Sequence, residues 1–197
     1  MKKETKIIIA VVAIIAVIAI VLAVIFLNQG PKTNLKPIES GEDLSKLIEQ
    51  VYEGQDTLAS LNTTIVDVSE ADAVKAATGL ENGNSLQYLA VSEPMISSQA
   101  YSFVVAKVKD GVDANSIAKE MLDKVNPIKW ICVGAEKVYA TSSGDVVCLV
   151  MASEEWAKPI YESFKSLAGT IGQEYERQGE PQYDDFPMDD TIQPYEE

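Results

Sequence analysis

Glu136-Lys137-Val138-Tyr139-Ala140-Thr141-Ser142-Ser143-Gly144-Asp145-Val146-Val147-Cys148-Leu149-Val150-Met151-Ala152 reads as a β-hairpin. Two strands, Glu136–Thr141 and Asp145–Ala152, flank the turn residues Ser142-Ser143-Gly144. The second strand does not alternate. Val146 to Met151 is apolar at every position, so both of its faces need cover. A strand of that kind belongs in the middle of a sheet.

The periodicities on either side extend this sheet into a domain. Ser40 caps a helix in which Leu44, Leu47, Ile48 and Val51 follow the i, i+3, i+4, i+7 rule, and Gly54 closes it. Thr63 to Val68 is β-branched and reads as a strand, after which Ser69 caps a short alanine-rich helix ending at Gly79. Leu86–Val91 and Ala100–Lys109 read as strands separated by Pro94. A helix over Asp113–Asn126 buries Ile117, Met121, Leu122 and Val125. A last helix runs near Lys158–Ala168, with Pro159 in its first turn and Ile160, Phe164 and Leu167 as its buried stripe. From Thr63 the order is β-α-β-β-α-β followed by β-α. The class is therefore α+β, a layered sheet-and-helix domain like a split β-α-β unit with an added strand and helix.

Ahead of this domain, Ile7 to Leu27 is twenty-one residues of unbroken hydrocarbon. As a helix it is roughly 31 Å long, matching the ~30 Å hydrocarbon core of a bilayer. Lys2, Lys3 and Lys6 precede it against a single Glu4, which favours a cytoplasmic N-terminus. The apolar run is too long for a cleaved signal peptide, and Val24-Ile25-Phe26-Leu27 makes a poor cleavage site. The expected organisation is a cytoplasmic N-terminus at 1–6, a single transmembrane helix at 7–27 and a linker at 28–38. An extracytoplasmic domain at 39–172 and an acidic, disordered tail at 173–197 complete it. Ala16, Ala19 and Ala23 fall on one side of the anchor, a loose small-residue stripe.

Composition removes several function classes. The chain carries 30 acidic against 16 basic residues, a formal charge of −14. Such a surface repels nucleic acid and anionic polymers, so no nucleic-acid partner is expected. There is no histidine, which removes serine–histidine and cysteine–histidine catalysis and the commonest zinc ligand. The sequence contains no glycine-rich phosphate loop and no nucleophile elbow. A serine–lysine arrangement through the loop residues Ser97 or Ser98 stays formally open. The adjacent carboxylates Glu154 and Glu155 diverge by about 100° on a helix and would not converge on one substrate. Glu81-Asn82-Gly83-Asn84 lacks the ligand alternation of a calcium loop. We read no cofactor, no metal ligand set and no catalytic residue.

Cys132 and Cys148 are the only cysteines. A disulfide would suit an extracytoplasmic address, but Cys148 lies mid-strand across from about Tyr139. Pairing it with Cys132 requires the segment from Trp130 to Ala135 to fold back, so two thiols are the favoured reading.

Ala77-Thr78-Gly79-Leu80, Leu86-Gln87-Tyr88-Leu89-Ala90, Glu93 to Tyr101 and Phe103 to Asp110 together form a pattern. With Ser143-Gly144-Asp145-Val146-Val147 and the Pro159–Leu167 helix, it resembles a family of small membrane-anchored extracytoplasmic proteins of Gram-positive bacteria. That family is catalogued as a domain of unknown function. The resemblance covers about residues 45–168 and implies the address without supplying functional residues.

The reading that follows is a noncatalytic binding or interaction module at the cell envelope. The bilayer would be its partner through residues 7–27, and an envelope protein or small ligand its partner outside. Its contact surface is expected around Tyr88, Pro94, Met95 and Ser97, where an apolar strand meets a proline. The alternatives are a histidine-free envelope enzyme using Ser/Lys or carboxylates, and an accessory subunit of a membrane complex read through Ala16–Ala23.

Overall fold

The doubly apolar strand Val146–Ala152 is buried along its whole length, and the rest of the domain is arranged to cover it. The computed structural model describes residues 33–55, 60–96 and 98–179. The proposed anchor at 7–27, the leading residues 1–6 and most of the acidic tail lie outside these. Among the described residues no helix is long and apolar enough to cross a membrane.

Six strands form one sheet: β1 (Leu61–Val66), β2 (Leu86–Pro94), β3 (Ser102–Val108), β4 (Lys137–Ser143), β5 (Val146–Ala152) and β6 (Tyr175–Gln178). Their order is β1-β2-β3-β5-β4-β6, and every neighbouring pair is antiparallel. Four helices accompany them: α1 (Gly41–Tyr52), α2 (Ala71–Thr78), α3 (Ala114–Lys124) and α4 (Glu154–Ala168). The fold is α+β. Strands β3 and β4 run parallel, joined through α3, with β5 inserted antiparallel between them.

Alternation along the strands divides the core between two faces. Val147, Leu149 and Met151 of β5 join Val104, Ala106, Leu89, Val138 and Ala140 beneath α2 and α3. Val146, Cys148, Val150 and Ala152 join Phe103, Val105 and Tyr139 beneath α1 and α4. A β-bulge between Leu86 and Tyr88 lets Leu86 and Leu89, three residues apart, reach the same face.

Several boundaries differ from the sequence expectation, each for a physical reason. The hairpin turn is Gly144-Asp145 rather than Ser142-Ser143-Gly144, because Ser143 pairs with Val146 and Gly144 takes the positive φ of 59° that a two-residue turn demands. Cys148 consequently faces Thr141, not Tyr139. Helix α4 begins at Glu154, so Pro159 sits in its second turn. Glu154 and Glu155 complement the positive end of the helix dipole and extend it upstream of the proline. Its buried stripe is Ala157, Ile160, Tyr161, Phe164 and Ala168, while Leu167 turns outward at 37% exposure.

The domain also extends beyond residues 39–172 at both ends. Residues 33–38, expected in the linker, dock on the fold. Thr33 Oγ1 lies 2.7 Å from Ser143 Oγ, Asn34 N–H donates to the Ala168 carbonyl, and Lys107 Nζ donates to the Ile38 carbonyl. Residues 173–179, expected in the tail, carry β6. Gln173 N–H and Ser142 Oγ both donate to Asn115 Oδ1, and Thr141 Oγ1 donates to the Gln173 carbonyl. Arg177, the only arginine in the chain, reaches across to the end of α3. Its Nε donates to the Leu122 carbonyl at 2.5 Å and its Nη2 to the Val125 carbonyl at 2.6 Å. These are carbonyls that a helix end leaves without partners, and a cation there is favoured by the dipole.

Two stability outcomes follow. Leu149→Ala empties space in a fully buried position and should cost about 2–5 kcal/mol, whereas Leu167→Ala should stay within about 0.5 kcal/mol. Chemical denaturation of both variants checks this. Arg177→Ala should cost about 1–3 kcal/mol by orphaning the α3 carbonyls. Amide hydrogen exchange should then accelerate in β6 and the last turn of α3 while β3 and β5 stay protected.

Candidate functional site

A wide concavity lies over the α2 face of the sheet. It encloses about 920 Å³ between α2, the β1–β2 edge and the segment following α3. Its walls include Val66, Ala73, Ala76, Val91, Lys124 and Lys129. Gly79 makes the closure between α2 and α3 possible. It ends α2 with φ +78°, and a Cβ there would stand 2.4 Å from the Lys124 and Val125 backbone.

Lys129 sits at the floor of this cleft. Its ammonium contacts Glu93 Oε1 at 2.5 Å, Ser102 Oγ at 3.4 Å and the Ala76 carbonyl at 3.3 Å, and lies 5.3 Å from the Trp130 ring centroid. The two other lysines of the cleft are likewise engaged, Lys75 with Glu81 at 3.0 Å and Lys124 with Glu120 at 2.6 Å. A cleft whose cations are already matched by carboxylates has no surplus charge with which to hold an anionic ligand.

Among the described residues, Lys129 Nζ and Ser102 Oγ make a serine–lysine contact at 3.4 Å. Ser102 is fully buried within β3, so its hydroxyl cannot meet an external substrate. Ser98 is exposed in the β2–β3 loop, and Ser97 lies outside the described residues. Among the described residues no group of three or more Cys, Asp or Glu is placed to hold a metal ion.

Around one end of the sheet the domain leaves apolar side chains in water. Met95 is 76% exposed and Ile96 58% in the β2–β3 loop, while Ile131 is 66% and Ile128 36% exposed in the α3–β4 loop. The Lys129–Glu93 ion pair and the Lys129–Ser102 contact tie the α3–β4 loop to the end of β2 and the start of β3, so both loops lie at the same end of the sheet. Trp130, buried at 9%, plugs the α3–β4 loop into the core and forces Ile128 and Ile131 outward. Scattered exposed apolar residues need no explanation, but four of the six exposed large hydrophobics of the described residues fall on the two loops at this end.

The structure separates the residues expected to form the contact surface. Pro94 ends β2 and Met95 heads the rim, as the proline suggested. Tyr88 does not join them. It lies six positions back along an extended strand, about 20 Å away, and packs half-buried on the α1/α4 face. Sequence reasoning missed Glu93, Ile128, Lys129 and Ile131. The available signal was two isoleucines without strand or helix period between Pro127 and Gly134. Of the cysteines, Cys148 is fully buried in β5 and Cys132 is exposed, with no disulfide between them. Burial pushes the Cys148 thiol well above its ordinary range, as expected for an inert core cysteine.

No family model, curated protein or solved structure matches the chain.

The ion pair can be tested for its structural role. Lys129→Met leaves Glu93 beside a largely buried site without its partner and should cost about 1–3 kcal/mol. Combining it with Glu93→Gln should recover part of that loss, a coupling read from a double-mutant cycle of denaturation midpoints.

Proposed function

We propose that this chain is a single-pass, membrane-anchored, extracytoplasmic module that binds a protein partner and does no chemistry of its own. The observation that carries the binding reading is the exposure of Met95, Ile96, Ile128 and Ile131 on two loops at one end of the sheet, the second of them tied to β2 by Lys129 and Glu93. Aliphatic and methionine side chains presented together at a rigid sheet end suit burial against another protein surface. A small charged ligand would find the cleft's lysines already paired. Ser102, the serine that Lys129 contacts, is buried and offers a histidine-free enzyme no accessible nucleophile.

The anchor rests on sequence. Ile7–Leu27 has the length and apolarity of a spanning helix, and the lysines before it favour a cytoplasmic N-terminus. The resemblance to anchored extracytoplasmic proteins of Gram-positive bacteria points the same way. Only five residues lie between Leu27 and Thr33, a reach of about 20 Å, so the domain would ride close to the outer face of the membrane. Thr33 is held at the Ser143 end of β4, and the rim lies near the Lys137 end, displaced from the point of attachment by a strand length.

Site-specific photo-cross-linking tests the reading. A photoreactive residue at Met95 or Ile131 of the full chain in its native membrane should yield one discrete protein adduct. The same group at Glu155 on α4 should not, and Met95→Glu with Ile131→Glu should abolish the adduct. Adducts that are absent, or equal at both surfaces, would contradict a binding role for the rim. Exchanging residues 7–27 for an unrelated spanning helix should leave the adduct intact. Its loss would favour an accessory subunit recognised through Ala16–Ala23.

A further inference from the structure

The two edges of the sheet are built differently. β6 is four residues long and places Glu176 and Arg177 on its edge, with Glu176 ion-paired to Lys137. Charges and brevity of this kind discourage strand addition. β1 is six residues, Leu61-Asn62-Thr63-Thr64-Ile65-Val66, with no charge, proline or bulge, in a chain with 30 acidic residues.

The direction of its free backbone groups can be worked out. Met95 N–H donates to the Ser60 carbonyl, so Ser60 faces β2. Leu61 opposes Pro94, which has no N–H to exchange. By alternation, Leu61, Thr63 and Ile65 point their N–H and C=O groups away from the sheet. Their side chains share the α1 side. Leu61 packs against that core, and Ile65 lies over Gly41 at the start of α1 while remaining 46% exposed.

These positions are self-complementary. With Thr63 opposite Thr63 of a second copy, Leu61 falls opposite Ile65 and Ile65 opposite Leu61. Each of the three residues can then donate and accept one backbone hydrogen bond, and the exposed Ile65 is covered by an aliphatic partner. A shift by one step in either direction loses both Leu61–Ile65 pairs. No acidic residue of β1 faces another, so the strong negative charge of the chain is not brought into the seam.

We propose that β1 of one chain pairs antiparallel with β1 of a second copy, joining two sheets into one across a two-fold axis through Thr63. This goes beyond the binding reading and does not depend on it. The axis is perpendicular to the sheet, so residues 33–38 of both copies, docked on the α1/α4 side through Leu35 and Ile38, lie on the same face. Two anchors could therefore enter one membrane. A single strand pair is smaller than a standard protein interface, so micromolar dissociation is expected in solution.

Sedimentation equilibrium of the detergent-solubilised full chain from about 1 to about 100 µM tests the proposal. The protein mass should double across that range. Thr63→Pro removes only an outward N–H, and it should hold the mass at one chain with an unchanged circular dichroism spectrum. A second variant keeps the edge intact: Thr63→Cys in a Cys132→Ser background should form an interchain disulfide on mild oxidation, since opposed hydrogen-bonded residues stand about 5.5 Å apart. Thr64→Cys should not. A single-chain mass at the highest concentration would overturn the proposal, whether the edge is bare or covered by other residues of the chain. So would a dimer that survives Thr63→Pro, or one whose Thr63→Cys form resists cross-linking.

Discussion

The organisation of this domain depends on one strand that has no polar face. β5 presents apolar side chains to both sides, and every residue of it is buried. A sheet containing such a strand cannot leave either surface to water, because each uncovered Val or Leu forfeits about 1.5–3 kcal/mol of burial. Helices α2 and α3 meet the need on one side and α1 and α4 on the other. The chain topology follows from this demand. Crossing from β3 through α3 to β4, with β5 returning between them, places the most apolar strand inside the sheet with helices over both of its faces.

The same constraint explains why the domain reaches further along the chain than its apolar pattern suggests. Strand β4 borders β5, and without β6 it would form the edge of the sheet. The return of residues 170–178 gives it a second neighbour, and the Asn115, Ser142 and Arg177 contacts hold that return in place. Lys165 adds to the clasp at 2.7 Å from Glu174. Its hydrogen bond, its charge and the Tyr161 hydroxyl hold the Glu174 carboxyl below the usual range. A depressed carboxyl stabilises the fold above its unfolded pKa, and that contribution is lost as pH falls through the folded value. Half of the Glu174 side chain is exposed, so solvent screening keeps the effect small. Beside this clasp, at the same end of β4, Thr33 docks against Ser143, while Gln178 pairs with Lys137 at the other end. Entry and exit of the chain are thus fastened to the two ends of one strand, and the rim loops lie near the exit.

Much of this was legible in the sequence where local pattern and burial agree. The Ser40 cap, the stripe of α1, the Gly79 stop and the hairpin around Gly144 all emerged from nearest neighbours. The misplaced features are those decided at long range. Tyr175-Glu176-Arg177-Gln178 has no apolar period, and it becomes a strand because β4 offers a ladder and α3 offers carbonyls to Arg177. Leu167 has the right spacing for a core residue but projects past the edge of the layer. At the site, the exposure of Met95 could be guessed from the proline before it. The rim as a whole could not, since it exists only because Lys129 joins a loop after α3 to Glu93, thirty-six positions earlier in the chain.

Amide hydrogen exchange followed residue by residue on the full chain tests the central claim that everything is built outward from β5. The amides of Val147 to Met151, together with those of Val104 to Ala106, should exchange only through global unfolding. Those of Ile96 and Ile131 should exchange faster by orders of magnitude. Exchange from β5 as fast as from the edge strands β1 and β6 would contradict it, because a strand that opens locally cannot be the one the two layers were assembled to cover.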